Sequence, residues 1–165
     1  MTPDEERRAR EELRRLLAAA DGLTLAELRE LDDEDLYSNL LMCVDGADSL
    51  NESQRLFYAV AAFEVDVCNG GMPLFFINHK DEQIRETRAA FEALGQTELV
   101  ALLDMAISRV RFHGHLREKR DRYGDFLDAS KLGELSEEGR HLALSSRPHL
   151  IAFVRAHLAD FASSG

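Results

Sequence analysis

Tryptophan is absent from this chain, and cysteine and proline are scarce: its 165 residues include no Trp, two Cys and three Pro. Cys43 and Cys68 lie far apart without the C-x-x-C spacing of zinc and redox sites, so they imply no disulfide framework and favour buried, reduced thiols. The chain lacks the roughly 20 consecutive apolar residues that a membrane-spanning helix needs. Its first residues also lack the apolar stretch of a signal peptide. These absences predict a cytoplasmic protein that does not bind a membrane.

Sequence motifs that mark common catalytic and cofactor sites are missing as well. No serine stands in a G-x-S-x-G turn, and Gly70-Gly71 matches no phosphate-binding glycine loop. His113 and His115 form the one close histidine pair, without an acid or thiol at the spacing of a metal site. We therefore predict a protein that is not an enzyme and that uses no metal and no cofactor.

Helix signals, by contrast, recur along the whole chain. Capping boxes and apolar residues at 3.6-residue spacing repeat, whereas the alternation typical of strands does not occur. A hydrophobic content of 45% suffices for one sizeable core at this length. The predicted fold is all-α, a single-domain multi-helix bundle over residues 1–165 with short turns between the helices.

Capping residues, glycines and a proline predict the helix boundaries. Capping boxes open helices at Thr2, Thr24 and Asn51, and Asp32 or Asp33 caps a further helix that ends near Val44. The later boundaries predict helices over 81–94 and 97–112, shorter helices and loops over 116–147, and a final helix that starts at Pro148.

The most apolar predicted helix follows Asn51 and is expected to end at Gly70-Gly71, since glycine readily adopts the conformation that closes a helix. Met72 to Asn78 then forms a short apolar segment, for which strand and helix both remain open.

Negative charge dominates the first half of the chain. The net charge is −11, and residues 21–100 hold 17 acids against 5 Lys or Arg. Between residues 21 and 48 a single arginine, Arg29, faces nine acids: Asp21, Glu27, Glu30, Asp32, Asp33, Glu34, Asp35, Asp45 and Asp48. Such a surface repels nucleic acid and attracts basic proteins, and we predict these nine residues as the partner-binding site. The same acids could instead serve only to keep the protein soluble.

Three segments within residues 50–95 carry a family likeness: LNESQRLFYAV at 50–60, EVDVCNGGMPLFFIN at 64–78 and AFEALG at 90–95. They resemble a bacterial helical domain family of unknown function, to which the neisserial DNA mimic protein belongs. The family pattern is V-x-N-G-G-F, then Q-F-F-x-N, then a helix ending A-L-x-x-[LI]-G. Met72 replaces the usual Phe and Leu74 the usual Gln, whereas six positions match: Asn69, Gly70, Gly71, Phe75, Phe76 and Asn78.

The matched residues are typical of a structural framework. The two glycines allow the chain to reverse, and Phe75 and Phe76 are expected to fill the core. Asn69 and Asn78 are expected to hydrogen-bond the backbone of the turn. A ligand pocket lined by the two asparagines is the alternative.

The resemblance and the charge together favour a DNA-mimic-type regulator, an acidic protein that occupies the DNA-binding face of a basic partner. An immunity or antitoxin-like inhibitor of a protein that does not bind DNA is the alternative. A small-ligand site or enzyme at the Asn69-Gly70-Gly71 turn is less favoured, because the motif lacks a titratable group. The sequence leaves open whether the chain forms a homodimer.

Overall fold

The computed structural model describes residues 23–45, 49–112 and 131–163, with only the backbone of residues 111 and 112. This part of the chain contains no strand, which confirms the all-α prediction. The predicted helix at 2–20 and the pair His113 and His115 lie outside the described residues. The described helices are α1 (Leu25–Glu30), α2 (Asp33–Val44), α3 (Glu52–Asn78), α4 (Asp81–Ala93), α5 (Thr97–Phe112), a 3-10 turn (Leu132–Leu135), α6 (Ser136–Ala156) and α7 (Leu158–Phe161).

The chain divides into two compact units, and both boundaries fall inside helices. Unit 1 comprises residues 1–58 and 151–165, and unit 2 comprises residues 59–150. The predicted single domain stays a prediction.

Side-chain caps start the first three helices where the sequence predicts them. Thr24 and Glu27 form a reciprocal capping box on α1, and the Asp32 side chain accepts a hydrogen bond from the Asp35 N–H at the start of α2. Asn51 and Gln54 do the same at α3, where each side-chain oxygen accepts from the other residue's backbone N–H, at 2.9 and 3.1 Å. These bonds satisfy N–H groups that have no partner within the helix, and they fix the helix starts.

Aromatic side chains build the core of unit 1. The Phe57 ring is fully buried, with its centroid 5.7 Å from that of Tyr37 and 5.8 Å from that of Phe161, both edge-on. Leu28 of α1 and Leu36 of α2 are also fully buried. The two acidic helices are therefore anchored by apolar side chains on their inner faces.

A second aromatic cluster forms the core of unit 2. The Phe63 ring lies 4.9 Å from the Phe75 ring and 5.0 Å from the Phe91 ring, again edge-on. α6 approaches this core closely at Gly139, where a Cβ atom would lie 3.1 Å from the Met72 sulfur. Arg88 of α4 binds Asp104 of α5 at 2.7 Å on the solvent side of that helix pair.

α3 is long and apolar enough, by length and composition alone, to cross a membrane. Half of its most apolar 18-residue stretch is buried within the protein, however. It also carries two buried acids, Glu64 and Asp66, which bond to polar groups of unit 2. We interpret α3 as a core helix.

Pro148 lies inside α6, so the prediction that it starts the final helix is wrong. The predicted loops before it are also replaced by helix from Ser136 onwards. Buried positions continue at helical spacing on both sides of the proline, at Gly139, Ala143, Ser146, Leu150 and Val154. Proline lacks the N–H that would bond the Leu144 carbonyl, but both residues are exposed, so water can satisfy that carbonyl.

Candidate functional site

Seven of the nine predicted partner-binding acids lie on the described part of unit 1, and all seven are exposed. They occupy α1, the cap and first turn of α2, and the residue that ends α2: Glu27, Glu30, Asp32, Asp33, Glu34, Asp35 and Asp45. Asp21 and Asp48 lie outside the described residues. The structure therefore brings most of the predicted acids onto one pair of consecutive helices.

The carboxylate of Glu27 is held in a fixed position by Thr24. One Glu27 Oε accepts from the Thr24 hydroxyl at 2.7 Å and from the Thr24 backbone N–H at 2.8 Å. These two hydrogen bonds, the hydroxyl one first, hold the pKa of the Glu27 carboxyl below its usual range. Glu27 therefore keeps its negative charge at lower pH than an unbonded glutamate does.

Four consecutive acids surround the N-terminus of α2. Asp32 is the cap, and Asp33, Glu34 and Asp35 make up the first turn. Their charges complement the positive end of the helix dipole, which lowers the cost of placing them so close together. Because successive helical residues point about 100° apart, the four carboxylates spread around the helix end rather than share one face.

Asp33 and Asp45 bond to residues of other helices of unit 1. An Asp33 carboxylate oxygen lies 2.9 Å from Arg155, although 71% of the Asp33 side chain is exposed, so the pair contributes little stability. Asp45 accepts a hydrogen bond from the Tyr58 hydroxyl at 3.3 Å. The predicted acidic surface is thus partly neutralised at Asp33.

The family motif forms a turn within α3, at which Asn69 and Gly70 are exposed and Gly71 is buried. Gly71 has φ of 74°, so the helix breaks there, as predicted, and Met72 to Asn78 continue as helix rather than strand. A Cβ atom on Gly71 would lie 2.8 Å from the Ser136 Cβ, closer than real side chains approach. The Ser136 hydroxyl accepts from the Met72 N–H at 3.1 Å and so caps the second helical segment. The turn requires glycine both for its φ and for the close approach of Ser136.

Phe75 and Phe76 are core residues, as the motif predicts. Their exposed fractions are 0% and 5%. Asn78 behaves differently from the prediction, because it donates its side-chain amide to Asp66 at 2.9 Å instead of to the turn backbone. Asn69 is exposed to solvent, and its predicted hydrogen bond stays a prediction.

Asp66 and His79 form a polar pair that the sequence does not predict. The His79 Nε2 lies 2.8 Å from the second Asp66 oxygen, and the His79 ring lies 4.7 Å from the Phe75 ring. Because Asn78 uses the other oxygen, both Asp66 oxygens are engaged. The arrangement therefore links the segment of α3 before Gly71 to the segment after it.

A second buried acid, Glu64, is bound by Arg147 of α6. The guanidinium donates to the Glu64 carboxylate from Nε at 3.0 Å and also from Nη2. Glu64 is only 4% exposed, so this charge depends on its arginine partner. A pairing across more than 80 residues has no local sequence signal, although acids inside an otherwise apolar helix point to buried partners.

The cysteines differ from the prediction of two buried thiols. Cys68 is exposed and Cys43 is half-buried. The pKa of the Cys68 thiol is raised, mainly by desolvation and to a smaller extent by the negative charge of Glu64. Desolvation also raises the pKa of the Cys43 thiol. Both thiols are therefore poor nucleophiles at neutral pH. Among the described residues, no group of three or more His, Cys, Asp or Glu could hold a metal ion.

A family model described as "DMP19-like protein" matches residues 48–157. The match includes the turn at Gly71 and α3 to α6, whereas the acids from Glu27 to Asp45 precede it. Neither the curated proteins nor the solved structures gave a match to this chain.

Proposed function

Since this chain belongs to the DMP19-like protein family, in which DMP19 stands for DNA mimic protein 19, we propose that it is a non-enzymatic, DNA-mimic-type regulator. In this proposal it occupies the DNA-binding face of a basic partner protein. The observation that carries the proposal is the acidic surface of α1 and α2. In residues 23–45, seven exposed acids accompany one arginine, Arg29.

The charge density of α2 supports the proposal. From its cap Asp32 to Asp45, α2 is about 20 Å long and carries five acids, of which Asp33 is paired with Arg155. A duplex of that length carries roughly 12 phosphates, about six on each strand. The charge on α2 is therefore close to that of one DNA strand, and it is concentrated at the N-terminal end of the helix.

The buried acids do not favour catalysis. The Glu64 carboxylate is bonded to Arg147, and the Asp66 carboxylate is bonded to Asn78 and His79. A general acid or base must reach a substrate proton, and these two groups already bond to protein atoms. This arrangement is consistent with the non-enzymatic part of the proposal.

The partner in this proposal is a basic cytoplasmic DNA-binding protein, and the chain itself does not bind nucleic acid or a membrane. A homodimer would double the acidic surface and is part of the proposal.

The test is a competition experiment with labelled DNA. A basic DNA-binding protein captured with the wild-type chain is loaded with DNA, and the chain is titrated in. We expect wild type to displace the DNA. The variant Asp32→Asn, Asp33→Asn, Glu34→Gln and Asp35→Asn should need on the order of tenfold more protein, because clustered charges act jointly. Asparagine at 32 still caps α2, so the fold should remain.

A matched control separates local from total charge. Replacing four exposed acids of unit 2 with glutamine removes the same net charge elsewhere: Glu82, Glu86, Glu137 and Glu138. This control should displace DNA nearly as well as wild type. If both variants lose the same ability to displace DNA, the total charge of the protein is responsible. If the wild type binds the partner while DNA stays bound, the alternative is favoured, an inhibitor of a protein that does not bind DNA.

A further inference from the structure

An open groove of about 630 Å³ lies beside α1, within the acidic surface of unit 1. Most of its surface is apolar, and its described lining consists of three apolar and three charged residues: Leu23, Ala26, Leu31, Glu27, Arg29 and Glu30. Its volume lies within the range of known ligand sites. The DNA-mimic proposal, which depends on charge alone, does not use this feature.

The backbone around the groove is fixed at both ends. The Ser163 N–H donates to the Leu23 carbonyl at 2.9 Å. At the other end the Arg155 guanidinium donates to the Leu31 carbonyl at 2.7 Å. Between these points Leu28 is fully buried and anchors α1. A preformed groove binds a partner without the cost of ordering its walls.

The charges around the groove select the chemistry of its occupant. Glu27 and Glu30 stand three residues apart on α1, so they lie on the same side of the helix. The four acids from Asp32 to Asp35 follow directly after Leu31. A mostly apolar groove lined by two glutamates and one arginine, and followed by four acids, is complementary to a helix whose apolar side chains are flanked by Lys or Arg.

We propose that this groove, on the premise of the DNA-mimic function, binds the apolar side chains of a basic amphipathic helix of the partner. Helices that enter the major groove of DNA are the kind of element that a DNA mimic must cover. The acids around the groove attract such a helix, and the groove discriminates among basic helices by their apolar residues.

The test uses two synthetic helical peptides of equal length and charge, about four helical turns long. One peptide carries lysines and a stripe of leucines at i, i+3 and i+4 spacing, and the other has alanine in place of each leucine. Wild type should bind the leucine peptide on the order of tenfold more tightly, because burial of even one leucine is worth that much. Equal affinities would overturn the groove proposal, whether both peptides bind or neither does.

Variants locate the contact. Ala26→Gln places a longer polar side chain over the groove and should remove the preference for leucine, while Ala89→Gln, an equivalent change at an exposed position of α4, should retain it. Arg29→Gln should tighten binding of both peptides a few-fold, because it removes the one positive charge among the described residues that line the groove. A leucine preference that persists in Ala26→Gln would also overturn the proposal. The DNA competition with the quadruple variant tests the DNA-mimic function independently. A failure of the groove proposal can therefore be distinguished from a failure of the DNA-mimic proposal.

Discussion

Gly71 is the residue on which the motif region depends most. Its φ of 74° is rarely adopted by residues with a side chain, and the Ser136 side chain occupies the space that a Cβ would need. The second glycine of the Asn-Gly-Gly motif is therefore a packing requirement of unit 2. The motif residues describe the framework of the family, and they do not include the charges of α1 and α2.

Gly71→Ala should lower the free energy of unfolding by at least about 2 kcal/mol, because backbone strain and overlap with Ser136 add together. Urea denaturation measures the loss. Gly95→Ala is the matched control for strain alone, since Gly95 has φ of 69° and no atom lies within 4 Å of the position that its Cβ would take; it should cost about 1 kcal/mol. Equal losses in the two variants would show that Ser136 does not constrain the turn.

Phe76→Ala should cost about 3–5 kcal/mol of unfolding free energy, because the side chain is 5% exposed and packs edge-on against Phe75 at 5.6 Å between ring centroids. Phe76→Leu retains most of the apolar volume and should cost less than about 1.5 kcal/mol. A loss below about 1 kcal/mol for the alanine variant would instead indicate a ligand role for this position.

At the scale of elements, local signals predict the described helices well and long-range contacts poorly. The starts of α1, α2 and α3 follow from caps that act within four residues, and such caps can be read from sequence. The prediction fails at α6, because Pro148 is a local signal for a helix start. The helix instead continues on both sides of the proline, since one of its faces is buried along its length. Asp66 and His79 meet only because the chain breaks at Gly71, and no local pattern encodes such a pairing.

The ion pair between Glu64 of α3 and Arg147 of α6 gives a prediction for the stability of the protein. Arg147→Met should destabilise the protein by about 3–5 kcal/mol, because it leaves the Glu64 carboxylate, 4% exposed, without its main partner. Adding Glu64→Gln should recover part of the loss, since the buried charge is then gone. A double-mutant cycle by chemical denaturation measures the coupling. Simple additivity of the two changes would contradict a direct interaction.

At the scale of the whole molecule, the distribution of charge matters more than its total of −11. Unit 2 pairs many of its charges, as in the contact of Arg88 with Glu92 and Asp104. Unit 1 presents acids on α1 and α2 with little opposing charge, and this is predictable because a run of acids is a local feature. Only the folded chain shows which acids take part in caps or ion pairs. The groove beside α1 also becomes apparent only there.

The proposed binding is electrostatic and should weaken as salt rises, because the screening length falls to about 10 Å at 0.1 M. The most direct test of the proposed function measures the affinity of the partner for this protein at increasing concentrations of a DNA duplex that the partner binds. If the two ligands share one face, the apparent Kd should rise in proportion to DNA concentration once the duplex exceeds its own Kd. An unchanged apparent Kd, with DNA retained in a ternary complex, would contradict DNA mimicry.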